Sequence, residues 1–302
     1  MNRRATAARE HVWAGGWFVG LIALTLSPLG PTAGVWLFPV PLAIIYCLNS
    51  LGPVLGLAAI AGTALFVAGT GWLAVLFSVW MTAVAVILGD ALSRRESPYF
   101  AWIGATLCGT MLELGILAAS GGGAEGFYDT WREEWTRWLV NAGPGTGLSR
   151  GEGAALIAHT IAWLQVMLPG VLILTAFLVT ALNWSVCRYV LRRRDPPVGM
   201  LSGWKLPRSV VNLYLAALAF LLLGIFGSST LLGQLAHNVV FLSGFFLGVQ
   251  GLICLWKGVS GRRWRALWLG LLVLLASVRL ISDFYVLVGI FDVLRTPRSP
   301  SV

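Results

Sequence analysis

The sequence predicts an all-α fold, a polytopic bundle of eight or nine membrane-spanning helices with one amphipathic helix at the membrane surface. Three observations carry this. Of the 302 residues, 58% are hydrophobic and only 11% are charged, too few charges to coat a water-facing surface. Apolar runs of about twenty residues, the length a bilayer-crossing helix needs, recur along the chain. The basic residues gather between alternate runs, as the cytoplasmic loops of membrane proteins do. Together they exclude a soluble enzyme, a disordered chain and a disulfide scaffold.

The spans read in order as 11–28, 34–50, 53–69, 71–90, 99–120, 166–190, 208–227, 235–256 and 265–289. The first follows Arg3, Arg4 and Arg9 like a signal peptide. No small-residue cleavage site follows it, and Ser27, Pro28 and Pro31 read as a helix stop, so it is expected to stay uncleaved. The second and third are short and joined by a tight turn; read as one re-entrant hairpin they reduce the count to eight. With the N-terminus in the cytoplasm, fifteen of the 21 basic residues fall on that side. Arg295 and Arg298 fit poorly with the outer tail that a ninth crossing implies.

Residues 121–152 form an extracytoplasmic loop in what otherwise reads as a single integral membrane domain over 1–302. Within it Phe127, Tyr128, Trp131, Trp135 and Trp138 share one helical stripe, and Arg132, Glu133 and Arg137 lie opposite. Such a helix suits the membrane interface as an anchor, or as a lid over a site. The glycine-rich stretch Gly143–Gly147 is a hinge, lacking the Lys-Ser/Thr of a phosphate loop. Ser149 and Glu152 make a capping-box pair that starts the next helix. Residues 150–193 in one straight helix would be about 65 Å long at 1.5 Å per residue, so a break is expected at Pro169 and Gly170.

Polar residues inside apolar runs are the functional pointers, because a lipid-facing charge is costly. Glu113, His159, Asn238, Arg279 and Asp283 all fall in the outer half by residue counting, and Arg279 and Asp283 share a helix face at i,i+4 spacing. They are the candidate solute-binding residues, with Glu113 and Arg279 expected in one site. The competing account is structural: an Arg279–Asp283 pair within one helix, and packing histidines at His159 and His237. Asn183 and Gln250 are expected to hydrogen-bond between helices. The glycine pairs Gly16/Gly20, Gly52/Gly56 and Gly244/Gly248 allow close helix packing, internally or with a partner membrane protein. Cys47, Cys108, Cys187 and Cys254 lie singly in apolar runs, which reads as buried thiols. No catalytic motif, metal-ligand spacing or cofactor fingerprint stands out, so no enzyme activity, metal or cofactor is expected. The basic residues sit between spans, which argues for lipid and against nucleic acid.

Several short motifs resemble the YybS-like family of uncharacterised bacterial multispan membrane proteins. They are Pro39 and Pro41, Leu168-Pro169, Leu182-Asn183, the Arg192–Arg194 cluster, Trp204 with Leu206-Pro207, Asn238, Gln250-Gly251, and Gly289 with Asp292 and Arg295. The resemblance covers about residues 30 to 295. That family is distantly similar to the substrate-binding S subunits of energy-coupling-factor transporters. The resemblance implies a protein of the bacterial cell membrane that takes a small solute near the extracytoplasmic face. It also implies docking on an energising module through small residues of the first helix, here Gly16 and Gly20 instead of the usual alanines. The leading expectation is therefore an S-subunit-like protein that binds or transports a solute. The alternative is a non-transporting membrane scaffold or assembly partner.

Overall fold

A computed structural model describes residues 16–17, 37–48, 51–67, 73–94, 98–119, 122–142, 149–191, 206–224, 227, 230–259, 270–272, 274–275 and 278–295. Their secondary structure is helical throughout. The expected first span, apart from Gly16 and Trp17, lies outside the described residues, as does the hinge at Gly143–Gly147. The helices are α1 (Pro39–Leu48), α2 (Leu51–Leu65), α3 (Leu73–Arg94), α4 (Pro98–Ala119), α5 (Gly123–Ala142), α6 (Arg150–Val190), α7 (Arg208–Leu222), α8 (Leu231–Val259) and α9 (Arg279–Arg295). Four of them, α3, α4, α6 and α8, are long and apolar enough to cross a membrane; α1, α2 and α7 are shorter apolar helices. Contacts divide the chain into two compact units. One holds residues 1–158 and 171–194, the other 159–170 and 195–302.

In the first unit α3 packs against α1, α2 and α4. Prolines open α1, where a missing N–H costs nothing, and Phe38, Val40, Leu42, Ala43 and Ile44 are completely buried. A Cβ at Gly89 would collide with the Tyr46 ring, so this glycine sets the distance between α1 and α3. Gly109 of α4 faces the Ala176 methyl and the Trp80 indole in the same way. Helix α5 adjoins α4.

Helix α6 begins as the capping box expects. The Ser149 hydroxyl accepts from the Glu152 N–H, and the Glu152 carboxylate accepts from the Ser149 N–H at 2.9 Å. The expected break at Pro169 is not a break: the helix runs 41 residues with Pro169 inside it. What happens to its hydrogen bonds there is described with the site.

In the second unit α7 and α8 run antiparallel. Val211 shares a buried cluster with Leu247, and Tyr214 lies against Gly244. Helices α8 and α9 run parallel. Gly248 faces Val286, Gly251 faces Gly289, and the Cys254 thiol lies beside Asp292, so positions on the two helices advance together. They cross backbone on backbone: a Cβ on Gly251 would strike the Tyr285 carbonyl, and one on Gly289 would strike the Leu247 carbonyl. A guanidinium N–H of Arg208 donates to the Leu294 carbonyl at 2.9 Å, which puts the start of α7 beside the end of α9.

This direction overturns the expected single span 265–289. The Tyr285 hydroxyl donates to the Leu272 carbonyl at 2.9 Å. In one straight helix those residues would stand about 20 Å apart, beyond a tyrosine's reach, so the chain folds back between them. Arg295 consequently sits at the Lys257 end of the pair.

Candidate functional site

Glu113 sits in α4 among apolar neighbours, half-buried. Its Oε2 is shielded from solvent and has no hydrogen-bond partner among the described residues. A buried polar oxygen left unsatisfied costs about 1–3 kcal/mol, and a donor arriving from outside the chain would recover that.

Asn238 is deeply buried, and its side-chain amide is in full use. Its Oδ1 accepts from the Gly170 N–H at 2.6 Å. Its Nδ2 donates to the Val166 carbonyl and to the Gln234 carbonyl, both at 2.8 Å. Gly170 N–H and Val166 C=O are the two groups an uninterrupted α-helix pairs with each other. The amide of Asn238 therefore bridges the backbone of α6 at the residue after Pro169, where the ladder already lacks one donor. Gly170 makes the approach feasible: a Cβ there would lie 2.6 Å from Oδ1 and 3.0 Å from the Phe241 ring.

The remaining sequence candidates are more exposed. His159 lies at the surface of α6, and Asp283 on the exposed face of α9. His237 is held through Nδ1 against the Gly233 carbonyl at 2.8 Å. The Arg279 side chain lies outside the described residues, and with it the expected pairing with Glu113. Glu113 belongs to the first unit, and His159, Asn238 and Asp283 to the second. Among the described residues no group of three His, Cys, Asp or Glu side chains could hold a metal ion.

Two polar clusters escaped the sequence reading. In the first unit the Asp90 carboxylate accepts from Arg94 Nε at 2.9 Å and from the Tyr46 hydroxyl at 3.4 Å; the i,i+4 spacing of Asp90 and Arg94 was a usable signal. In the second unit Gln250, completely buried, donates through Nε2 to the Asp292 carboxylate at 2.6 Å, beside the glycine crossing. Gln250 was expected to bond between helices, but 42 residues separate it from Asp292, and no local pattern names that partner.

The amphipathic helix forms as expected in α5. Phe127, Trp131 and Trp135 make an aromatic ladder with centroids 5.8 and 6.1 Å apart. Arg132 pairs with Asp129, and Arg137 with Glu134, among the polar side chains. Tyr128 is buried, and burial raises its phenol above the ordinary tyrosine range. A cavity of about 670 Å³ between α2 and α3 is lined by Leu55, Ala58, Gly62, Val75, Val79 and Ala83, among others. None of the candidate polar residues lines it.

The model of a protein family described as predicted membrane protein, DUF2232, matches residues 18–293. No curated protein and no solved structure matches the chain.

Proposed function

The chain belongs to the DUF2232 family of predicted membrane proteins, and from that premise we propose that it binds a small solute inside the membrane at Glu113. The single observation that carries this is the buried Oε2 of Glu113, which has no hydrogen-bond partner among the described residues. A carboxyl oxygen without a donor, in a segment where charge is costly, suits a solute that offers an N–H, an O–H or a cationic amine. The resemblance to YybS-like proteins, and through them to energy-coupling-factor S subunits, points the same way, toward uptake of a small molecule and not catalysis.

In this reading the chain is a multispan protein of the bacterial cell membrane. The end carrying Arg208, Lys257 and Arg295 faces the cytoplasm, as the bias of basic residues requires. Asn238 serves the framework of α6 and is left out of the solute site.

Native mass spectrometry of the detergent-solubilised protein tests the proposal. Wild type is expected to retain a small molecule that Glu113→Gln loses while keeping its thermal stability. An identical small-molecule complement in both proteins rejects it. A second reading, a membrane scaffold, is favoured by the apolar cavity between α2 and α3 and by Gly52 and Gly56, whose Cβ positions meet nothing within 4 Å. It predicts no bound solute.

A further inference from the structure

One end of the second unit carries a cation from each of α7, α8 and α9. Lys257 stands in the last turn of α8 and Arg295 in the last turn of α9. The register of the crossing, Gly248 with Val286 and Gly251 with Gly289, sets Lys257 level with Arg295, and both lie within electrostatic reach of the Cys254 thiol. Arg208, at the start of α7, joins them through its bond to the Leu294 carbonyl. Among the described residues Asp292 is the acid at this end, and it accepts from Gln250 in the seam between α8 and α9. Arg208, Lys257 and Arg295 set against Asp292 leave a surplus of two positive charges.

The depth of this cluster follows from α8, which is apolar enough to span a membrane from Leu231 to Gly258. That stretch is about 42 Å long at 1.5 Å per residue, against a hydrocarbon core of about 30 Å, so Lys257, next to its end, lies at headgroup level. Beneath Arg295 the outer face of α9 is apolar. Phe284, Leu287, Phe291 and Leu294 share that face and are exposed, Phe291 by 71%, while Tyr285, Gly289 and Val293 are buried on the opposite face. From Phe284 to Arg295 the stripe runs about 16 Å, the depth of one leaflet of the core, and Asp283 bounds it at the far end.

We propose that this end of the second unit binds a phospholipid with an anionic headgroup: Arg208, Lys257 and Arg295 hold its phosphate, and an acyl chain lies along Phe291, Leu287 and Phe284. The surplus of positive charge selects an anion. Its place at headgroup depth, above an exposed apolar stripe one leaflet long, selects an anion that carries a hydrocarbon chain. A soluble phosphate would engage the cations alone and make no use of the stripe.

The test is native mass spectrometry of the detergent-solubilised full chain with dioleoyl phosphatidylglycerol and dioleoyl phosphatidylcholine added in equal amounts. The first phosphatidylglycerol is expected to bind roughly thirtyfold more tightly than phosphatidylcholine, at about fivefold for each surplus charge. Lys257→Gln and Arg295→Gln should each cut the preference about fivefold. The double variant should abolish it at unchanged thermal stability, and the charge-conserving pair Lys257→Arg/Arg295→Lys should keep it. Arg208 stays in place because it also holds the end of α9. Phe291→Ala should weaken both lipids alike and leave their ratio unchanged. Equal binding of the two lipids to wild type, a full preference in the double variant, or complete displacement of phosphatidylglycerol by millimolar inorganic phosphate, the mark of a soluble-anion site, would each overturn the proposal. Glu113→Gln should leave the lipid preference untouched, so this inference stands or fails apart from the solute site.

Discussion

The bridge between Asn238 and the backbone of α6 makes a quantitative prediction. Asn238→Ala removes three hydrogen bonds, nominally about 3 kcal/mol at about 1 kcal/mol each. Two of the freed groups, Gly170 N–H and Val166 C=O, are natural helix partners and can close on each other, which returns one bond. The expected loss is about 2 kcal/mol. Asn238→Asp is nearly isosteric, yet it should be worse, about 3 kcal/mol or more, because a carboxylate oxygen then faces the Val166 carbonyl and a charge is buried. Gly170→Ala places a methyl where Oδ1 of Asn238 stands, 2.6 Å away, at a cost of about 1–3 kcal/mol. Removing the obstructing amide relieves that clash, so the double variant Gly170→Ala/Asn238→Ala should be milder than the sum by about 1 kcal/mol or more. Unfolding in detergent, followed by the exposure of Cys187, which is fully buried, reads all four proteins. Additivity of the two alanine changes, together with an Asn238→Asp variant as stable as wild type, would refute the bridge.

Gly251→Ala and Gly289→Ala each drive a methyl into an opposing carbonyl and should separate α8 from α9, each costing about 3 kcal/mol; a thermal midpoint within a degree of wild type for either contradicts the crossing. Single cysteines at Lys257 and Arg295 should react with an impermeant thiol reagent from the same side of the membrane, and a cysteine at Glu133 from the other side; labelling of 257 and 295 from opposite sides would disprove the parallel pair. Because burial holds Tyr128 neutral to higher pH than a free phenol, its share of stability is complete below the ordinary tyrosine pKa of about 10 and falls as pH rises through the raised value. The alkaline ultraviolet titration of wild type minus Tyr128→Phe should therefore lie above the average of the other tyrosines, and a difference curve centred at or below that average contradicts the burial.

Much was legible because it is local. Lengths of apolar runs placed α3, α4 and α8 within a few residues, the Ser149–Glu152 pair marked the start of α6, and the aromatic spacing of α5 reported its stripe. Each depends only on side chains within two turns of one another. The candidate site was less legible. Depth was counted along an assumed single span from 265 to 289, and the reversal between Leu272 and Tyr285 changed the depth of everything on α9. Asn238, counted among the ligands, has its side-chain amide fully engaged by the backbone of a proline-interrupted helix and by the Gln234 carbonyl.

The sequence by itself determined that this chain is helical and belongs in a bilayer, since apolar content and helical periodicity are summed over neighbours in the chain. Only the tertiary structure decided which way α9 runs, why Gly170, Gly251 and Gly289 have to be glycine, and whose backbone Asn238 completes. A helix has the same apolar pattern whichever way it is threaded past its neighbour. A glycine's missing Cβ has meaning only once the opposing oxygen is in place, 34, 42 or 68 residues away.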